Sequence, residues 1–286
     1  MRLVIVLATM SACGFGPAPA KSGDDTTPDA PLPPITCGDL TCDPHAVCDA
    51  SGPTCSCQSG FTGNGFVCTD VNECATSNGG CAAACVNHAG TFECYAPKTC
   101  AEVAAKIPNG GVGDTRLFIG GDAAKPWTAF CASGKEYLTL PTGGTNNYSQ
   151  YTKSPTSVRT SYTKIRLDPA ALLVDNSDET YSTSTGSLYQ NPDTVTSMPY
   201  GVAMDCEGSN SNSGIAKIDL SNTPFAINDP FQGAGFNPGG GVVKSNMNRT
   251  VTVSGGGYCG YWGPSPVPYN PYNTTGGPIL DVVYQP

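Results

Sequence analysis

Ten of the fifteen cysteines in this 286-residue chain lie between residues 37 and 94. A segment this short cannot bury enough apolar surface to fold alone, so cross-links must hold it together. Cysteines at this density indicate an oxidising compartment, because a reducing cytosol would keep them as thiols. Charged residues make up only 13% of the chain, while glycine (35) and proline (25) are abundant, which favours a loop-rich β protein with few long helices.

The chain carries a net charge of −9 at pH 7. Nucleic-acid binding needs a basic surface that releases counterions, so the charge argues against that class of partner. An acidic chain is compatible with Ca²⁺, a hard cation that prefers oxygen ligands. Acidity also keeps proteins soluble, so the charge alone does not establish a calcium site.

The N-terminus has the form of an export signal. A positive start is followed by an apolar run, residues 3–10, which is too short to span a bilayer as a mature helix. Small residues then precede Cys13, and this arrangement resembles a bacterial lipoprotein signal, which implies removal of residues 1–12 and lipidation of Cys13. Ordinary secretory cleavage nearby is the alternative and would leave Cys13 free or removed. Parity favours lipidation, because setting Cys13 aside leaves an even number of cysteines.

Beyond the signal, the sequence divides into a linker, a cysteine-rich segment and a larger domain. Residues 13–36 are rich in proline and have almost nothing to bury, which predicts an extended tether. Cysteines become sparse after Cys100, and short β-type runs follow, separated by Gly, Asn, Pro and Ser clusters that we interpret as turns. These runs are residues 116–119, 136–140, 163–167, 215–220 and 250–253. One short helix is expected at residues 101–106, with Thr99 or Cys100 near its N-cap.

The first six cysteines of the cysteine-rich segment have a distinctive spacing. From Cys37 to Cys68 they are separated by four, five, six, one and ten residues, with a Gly-Phe-Thr-Gly-Asn-Gly sequence before the last. This spacing resembles that of the EGF-like family, over residues 37–69. The resemblance implies the disulfides Cys37–Cys48, Cys42–Cys55 and Cys57–Cys68.

A second module opens with Asp70-Val71-Asn72-Glu73-Cys74, and Asn87 follows two residues after its third cysteine. This pattern resembles the calcium-binding type of EGF-like module. The resemblance implies carboxylate ligands from Asp70 and Glu73 and a side-chain carbonyl from Asn87. Val71 and His88 would add backbone carbonyls, and the set approaches the roughly six to eight oxygens that Ca²⁺ prefers. A fold retained without metal is the alternative interpretation.

The second module is shorter than the family pattern. The usual fifth cysteine, two residues after Cys94, is absent, and Ala96 occupies that position. We therefore expect a truncated module over residues 70–98, with the disulfides Cys74–Cys85 and Cys81–Cys94 only. The truncation removes the lower hairpin of the family pattern but keeps the five expected ligands.

An ordered series of motifs runs through the larger domain: residues 99–103, 130–131, 136–141, 199–206 and 255–260. The opening resembles a fibrinogen-type or GON domain, and the whole series resembles the GON domain, the C-terminal module of some ADAMTS metalloproteases. We assign residues 99–286 to this domain. The resemblance implies the disulfides Cys100–Cys131 and Cys206–Cys259, fewer than the family usually carries.

Protease chemistry does not follow from this resemblance. Zinc proteases of that family hold their metal in a separate domain, on a His-Glu-x-x-His helix. The sequence has two histidines, His45 and His88, both in the small modules and too far apart for such a helix. A Ser-His-Asp or Cys-His site would need a histidine in the larger domain. We therefore expect no catalytic residues.

Two pairs of carboxylates could in principle do acid–base work, Asp175 with Asp178 and Asp205 with Glu207. Solvated turn acids are the favoured interpretation of these residues.

Aromatic residues are dense near the C-terminus: Tyr258, Tyr261, Trp262, Tyr269 and Tyr272. Exposed, they could hold a sugar or an extended peptide. The favoured interpretation is that they cover the core of the larger domain.

The expected fold is mainly β and disulfide-rich, with small EGF-like modules followed by a larger β-rich domain of the GON or fibrinogen-start type. The favoured function is that of an exported, surface-anchored, calcium-binding protein that interacts with an extracellular protein, matrix or glycan ligand. One alternative is a GON-containing zinc metalloendopeptidase or an accessory subunit of a peptidase, and another is a carbohydrate-binding module. Membrane contact is expected only through a lipid on Cys13, with the chain at the cell surface or outer membrane, or else extracellular.

Replacing Cys13 with serine removes the thiol that would carry the lipid. In a bacterial host, C13S should leave the membrane fraction about tenfold or more depleted of the protein, because the anchor is lost. Cell fractionation with mass spectrometry of the mature N-terminus measures this. S22A, a change in the tether, is the control and should behave like the unaltered chain; equal membrane retention of C13S would contradict lipidation.

Overall fold

The computed structural model describes residues 32–49, 51–107, 109–141, 145–190, 193–208, 211–228, 230–264 and 279–286. The predicted signal peptide, Cys13, Tyr269 and Tyr272 lie outside these residues. The chain divides into two compact units between Asp70 and Val71.

Three two-stranded antiparallel sheets make up the first unit. Its strands are β1 (Ile35–Cys37), β2 (Leu40–Cys42), β3 (Ala46–Asp49), β4 (Thr54–Cys57), β5 (Phe61–Gly63) and β6 (Cys68–Asp70), paired in sequence order. The buried side chains of its core are Cys37, Cys42 and Ala46. Sulfur therefore takes the place that larger apolar side chains occupy in a bigger domain.

The second unit begins with a small hairpin module. Two 3₁₀ turns, Glu73–Ala75 and Ser77–Gly80, precede strands β7 (Ala84–His88) and β8 (Thr91–Tyr95). Disulfides join these turns to the hairpin, so the module is cross-linked along its length.

Helix α1 (Cys100–Lys106) opens the larger domain at the place that the sequence predicts. Its first turn is capped by Thr99, whose Oγ1 accepts a hydrogen bond from the backbone N–H of Glu102 at 3.1 Å. This hydroxyl satisfies one of the amides that the first helical turn leaves unpaired. Cys100 is fully buried and its disulfide with Cys131 joins the helix to the sheet that follows.

Within the described residues, eighteen strands follow the helix, and a 3₁₀ turn, Ile119–Gly121, comes after the first of them. The strands are β9 (Gly113–Phe118), β10 (Pro126–Ala132), β11 (Lys135–Thr139), β12 (Tyr148–Lys153), β13 (Thr156–Tyr162), β14 (Lys164–Asp168), β15 (Leu173–Asp175), β16 (Ser182–Thr185), β17 (Leu188–Gln190), β18 (Asp193–Val195), β19 (Ala203–Asp205), β20 (Gly214–Asp219), β21 (Phe225–Ile227), β22 (Phe231–Gly235), β23 (Pro238–Ser245), β24 (Thr250–Gly257), β25 (Gly260–Pro264) and β26 (Ile279–Tyr284). All five β-type runs of the sequence overlap strands of this set, to within one residue at their ends.

These strands form two large sheets. The order in the first is β21-β26-β15-β14-β11-β10-β9, and in the second β22-β25-β19-β12-β20-β24-β23, which β13 and β16 extend from β12. Strands β17 and β18 form a separate hairpin. Neighbouring strands are antiparallel, apart from the parallel pair of β12 and β19. The fold is thus mainly β and rich in disulfides, as expected.

Alternation along the strands creates the core. In β10, Trp127, Ala129 and Cys131 are buried, while the residues between them face the other side, because successive side chains of a strand point to opposite faces. The main core combines side chains of both sheets, including Leu117 from the first and Ile218 from the second. A second buried cluster consists of Tyr151, Val158, Leu188, Val195, Met198, Val202, Met204 and Tyr261.

One glycine run that the sequence analysis interpreted as a turn, residues 239–241, is part of strand β23, and a second run, residues 255–257, ends strand β24. The physical reason is the close approach of the backbones. A Cβ on Gly255 would lie 2.1 Å from the carbonyl oxygen of Ala203, and one on Gly214 would lie 2.0 Å from that of Met204. Glycine is therefore required at these two positions, because any side chain would collide with the backbone of strand β19.

Asp205 is fully buried, so its interpretation as a solvated turn acid is wrong. Its carboxylate accepts hydrogen bonds from the backbone N–H groups of Glu207 (2.7 Å) and Ser213 (2.6 Å). The hydroxyls of Ser211 (2.6 Å) and Ser213 (2.7 Å) also donate to it. These donors fix the segment between β19 and β20, and they make Asp205 a structural anchor.

Replacing Asp205 with asparagine should lower the free energy of unfolding by about 2 kcal/mol. The NH₂ group of asparagine would face N–H and O–H groups that donate to the carboxylate of Asp205. Some of these donors would therefore lose their acceptor. Urea unfolding with the disulfides intact measures the change. The control is D122N, since the exposed Asp122 accepts from the N–H of Ala124 through an oxygen that asparagine retains; equal loss in both variants would refute the anchoring role.

Tyr200 lies at the centre of a buried polar network. Its hydroxyl donates to Oδ1 of Asn147 at 2.6 Å, and the backbone N–H of Asp219 donates to the same oxygen at 2.9 Å. Burial, with a smaller contribution from the charge of Asp219, raises the pKa of Tyr200 well above its ordinary value. The folded chain therefore keeps this phenol neutral in alkaline solution.

The raised pKa of Tyr200 predicts a loss of stability in alkaline solution. Below the ordinary tyrosine pKa of about 10 the phenol is neutral whether the chain is folded or not, so its contribution is constant. Above that pH only the unfolded state gains the charge, so stability falls as pH rises. Unfolding measured across this range should show a smaller alkaline loss in Y200F than in the unaltered chain, whereas Y258F, at an exposed position, should match the unaltered chain. An identical alkaline loss in Y200F would rule out this coupling.

Candidate metal centre

Four of the five predicted calcium ligands belong to the second unit. Glu73 opens the first 3₁₀ turn, and Asn87 and His88 end β7. Val71 is the first residue of that unit, and Asp70, which ends β6, is the last residue of the first unit.

The structure brings Glu73 and Asn87 together. The backbone N–H of Glu73 donates to Oδ1 of Asn87 at 3.2 Å. The disulfide Cys74–Cys85, with Cα atoms 5.6 Å apart, holds the 3₁₀ turn against β7 beside this contact. The backbone of Glu73 and the side chain of Asn87 are thus held together on two segments that a disulfide joins.

One oxygen of this pair lacks a partner. Oε2 of Glu73 is buried and, among the residues that the structure describes, accepts no hydrogen bond. Leaving a carboxylate oxygen buried and unpaired is costly, and a bound cation would compensate it. The donor set fits a hard cation, because it consists of oxygen atoms.

His88 contributes differently from a metal-binding imidazole. Its ring Nε2 lies 3.6 Å from Oε2 of Glu93, while its backbone pairs with Thr91 at the end of the hairpin. The ring therefore faces a neighbouring carboxylate, and the backbone carbonyl is the group that the calcium pattern uses.

The same hairpin is attached to the larger domain. Nζ of Lys106 in α1 lies 2.8 Å from both carboxylate oxygens of Glu93 and 4.9 Å from the centre of the Tyr95 ring. The hydrogen bond from Lys106 is the main cause that lowers the pKa of Glu93 below its ordinary value. Beyond Ala96, the carbonyl of Pro97 accepts from the N–H of Phe118 at 2.8 Å. The truncated module thus packs on the larger domain at the end where the family pattern has a further hairpin.

All fourteen cysteines from residue 37 onward are paired. The disulfides are Cys37–Cys48, Cys42–Cys55, Cys57–Cys68, Cys74–Cys85, Cys81–Cys94, Cys100–Cys131 and Cys206–Cys259. The structure therefore brings together each pair that the family resemblances imply.

Family comparisons agree with this architecture. The family described as complement Clr-like EGF-like matches residues 52–73, and the GON domain family matches residues 152–268. The chain contains EGF-like and GON domains. They occur in the order that the sequence predicts, and the chain is a multi-module protein.

Curated relatives are similar to a fraction of the chain. Mouse uromodulin is 49% identical over 57 residues, which are 18% of this chain and 9% of uromodulin. Human nidogen-1 is 39% identical over 82 residues, 27% of this chain and 6% of nidogen-1. Dog thrombomodulin is 45% identical over 60 residues, 20% of this chain and 10% of thrombomodulin. The chain thus spans about a tenth or less of these relatives. No solved structure is significantly similar to it.

The histidines of the chain lie in different units. Nδ1 of His45, in the first unit, lies 3.3 Å from the carboxylate oxygen Oδ1 of Asp43, and the ring stacks on Phe61 with ring centres 4.4 Å apart. In the described ranges, no three His, Cys, Asp or Glu side chains are grouped so as to hold a metal ion. The predicted calcium set includes an amide oxygen and backbone carbonyls, which such a group does not include.

A cavity of about 570 Å³ lies in the GON part of the chain, along β11, β14 and β15. Its charged residues already have partners: Arg166 contacts Asp175 at 3.3 Å, and Glu136 accepts from the N–H of Cys100 at 2.7 Å. Nearby, Asp178 is only 7% exposed and accepts from the Tyr137 hydroxyl at 3.2 Å, so it too is not the solvated turn acid that the sequence suggested.

The aromatic C-terminal region divides in the structure. Tyr261 is buried, and Nε1 of Trp262 donates to the carbonyl of Gly239 at 3.0 Å, so these two residues cover the core. Tyr258 is 51% exposed and packs edge-on against the exposed Phe236, with ring centres 6.3 Å apart. Across the part of the chain that the structure describes, no helix is long and apolar enough to cross a membrane.

Proposed function

We propose that this chain is an exported, surface-anchored protein whose second EGF-like module binds Ca²⁺ and whose domains interact with an extracellular protein or matrix ligand. The observation that carries the calcium proposal is the buried, unpartnered Oε2 of Glu73, a residue whose backbone N–H is bonded to the side chain of Asn87. Asp70, Val71 and His88 complete the ligand set by the sequence pattern. When bound, the ion would supply positive charge to oxygens that otherwise repel one another.

Calcium binding would stiffen the turn and hairpin. Glu73 precedes Cys74 and Asn87 follows Cys85, so an ion held by both side chains would reinforce the disulfide between them. Extracellular sites of this class bind at about 10⁻⁴–10⁻³ M, which suits a structural ion outside the cell.

An extracellular location is supported by cross-linking. Seven disulfides tie the described cysteines together, and such bonds persist in oxidising compartments rather than in the cytosol. The anchor at Cys13 rests on the sequence pattern and serves as a second part of the same proposal.

The hydrogen bonds made by the carboxylates of Asp178 and Asp205 favour a non-catalytic role. Asp205 is saturated with hydrogen bonds, and Asp178 is bonded to Tyr137, so neither is poised for proton transfer. We therefore assign the chain a binding role, with an extracellular protein or matrix component as its partner.

Calorimetric titration of Ca²⁺ into the full mature chain tests the calcium site. Replacing Glu73 with glutamine should weaken binding about tenfold, because a charged ligand becomes a neutral one. D70A should weaken it similarly. E102Q, the same substitution in the first turn of α1, is the matched control and should bind as the unaltered chain does. Equal affinity of E73Q and the unaltered chain would remove these ligands from the site.

A further inference from the structure

Strand β9 is the last strand of the seven-stranded sheet, and its one strand partner among the described residues is β10. The N–H of Phe118 points away from β10, since it donates to the carbonyl of Pro97. Because the backbone groups of alternate residues in a strand point to the same side, those of Asp114 and Arg116 face the same open edge. In the described part of the chain, no backbone hydrogen bond reaches these two residues from that side.

Both residues of this edge are accessible. Asp114 and Arg116 are exposed, and Val112, just before the strand, is 77% exposed. An exposed row of backbone donors and acceptors is a template for another extended chain. The hydrogen bond from Phe118 to Pro97 is already the first contact of such a ladder. Arg116 and Asp114 continue the same row of backbone groups along β9.

A cavity of about 370 Å³ lies beside the same edge. Its wall is mainly apolar and comes from the hairpin, the helix and the segment before β9, through Tyr95, Val103, Ile107 and Val112. The Tyr95 hydroxyl is buried and lacks a hydrogen-bond partner among the described residues. Asp114 and Arg116 also line this cavity, so the open edge and the apolar hollow form one continuous surface.

We propose that this surface binds an extended peptide of another protein, which pairs with Asp114 and Arg116 as an added strand and places an aliphatic side chain in the cavity. The backbone row selects an extended chain, because its donors and acceptors match those of a strand and not those of a helix. The apolar wall selects an aliphatic side chain. The exposed Asp114 and Arg116 favour a peptide with a basic and an acidic residue opposite them. The proposal specifies the partner in the binding role proposed above and does not depend on calcium.

Selection of short random peptides displayed on phage, with the full disulfide-bonded chain as the target, tests this proposal. Recovered peptides should alternate polar and aliphatic residues and bind competitively with one another. V112D should weaken them about tenfold, because it puts a charge at the rim of the apolar cavity. V243D is the matched control, since Val243 is 69% exposed on β23, the edge strand of the other sheet, and should leave their affinity unchanged.

Synthetic copies of a recovered peptide, N-methylated at alternate residues, test strand addition directly. Methyl groups on the amides that face β9 should abolish binding, and those on the intervening amides should leave it intact. If methylation of either set of amides weakened peptide binding equally, strand pairing with β9 would be ruled out. Recovery of no peptide, or of peptides insensitive to V112D, would overturn the β9 surface. Peptides sensitive to V243D alone would overturn this surface while leaving the general binding role in place.

Discussion

Covalent bonds between cysteines are the constraint on which the rest of the chain depends. In the first unit the buried core consists of Cys37, Cys42 and Ala46. Burial on that scale cannot offset the entropy lost when the chain orders, so disulfides, which restrict the unfolded chain, must supply the difference. The larger domain reverses this relation, since its core draws side chains from two sheets and its two disulfides reinforce a structure that apolar burial already stabilises.

Local signals explain why parts of the fold could be predicted from the sequence. Cysteine spacing predicts the small modules, and Thr99 marks the start of the helix, because both depend on residues close together in the chain. The sheet order could not be predicted, since it depends on distant pairs such as Leu173 with Asp281. The strand position of the glycines in β23 and β24 could not be predicted, since close contacts such as that between Gly255 and the backbone of Ala203 join distant parts of the chain.

The candidate metal centre shows the same division. The pattern of acids and Asn87 is local and could be recognised in the sequence, whereas the unpaired oxygen of Glu73 is visible only once the turn is folded against β7. The attachment of the hairpin through Glu93 and Lys106 could not be predicted, because those residues have no family spacing between them. The burial of Asp205 could not be predicted for a similar reason, since its partners Ser211 and Ser213 are ordinary loop residues in the sequence.

Because the second module lacks the third disulfide of the family pattern, its structure depends on the domain that follows it, and this limits which fragments of the chain can fold separately. Its hairpin contacts Lys106 and, where Pro97 meets Phe118, the edge of β9, at the end where the family pattern has a further hairpin. A fragment that ends at residue 98 would lose the contacts of the hairpin with Lys106 and Phe118. A fragment that starts at residue 99 would lose the Pro97 carbonyl that bonds to the β9 edge. A fragment that keeps both this support and the proposed calcium ligands would therefore have to begin no later than Asp70 and include the larger domain.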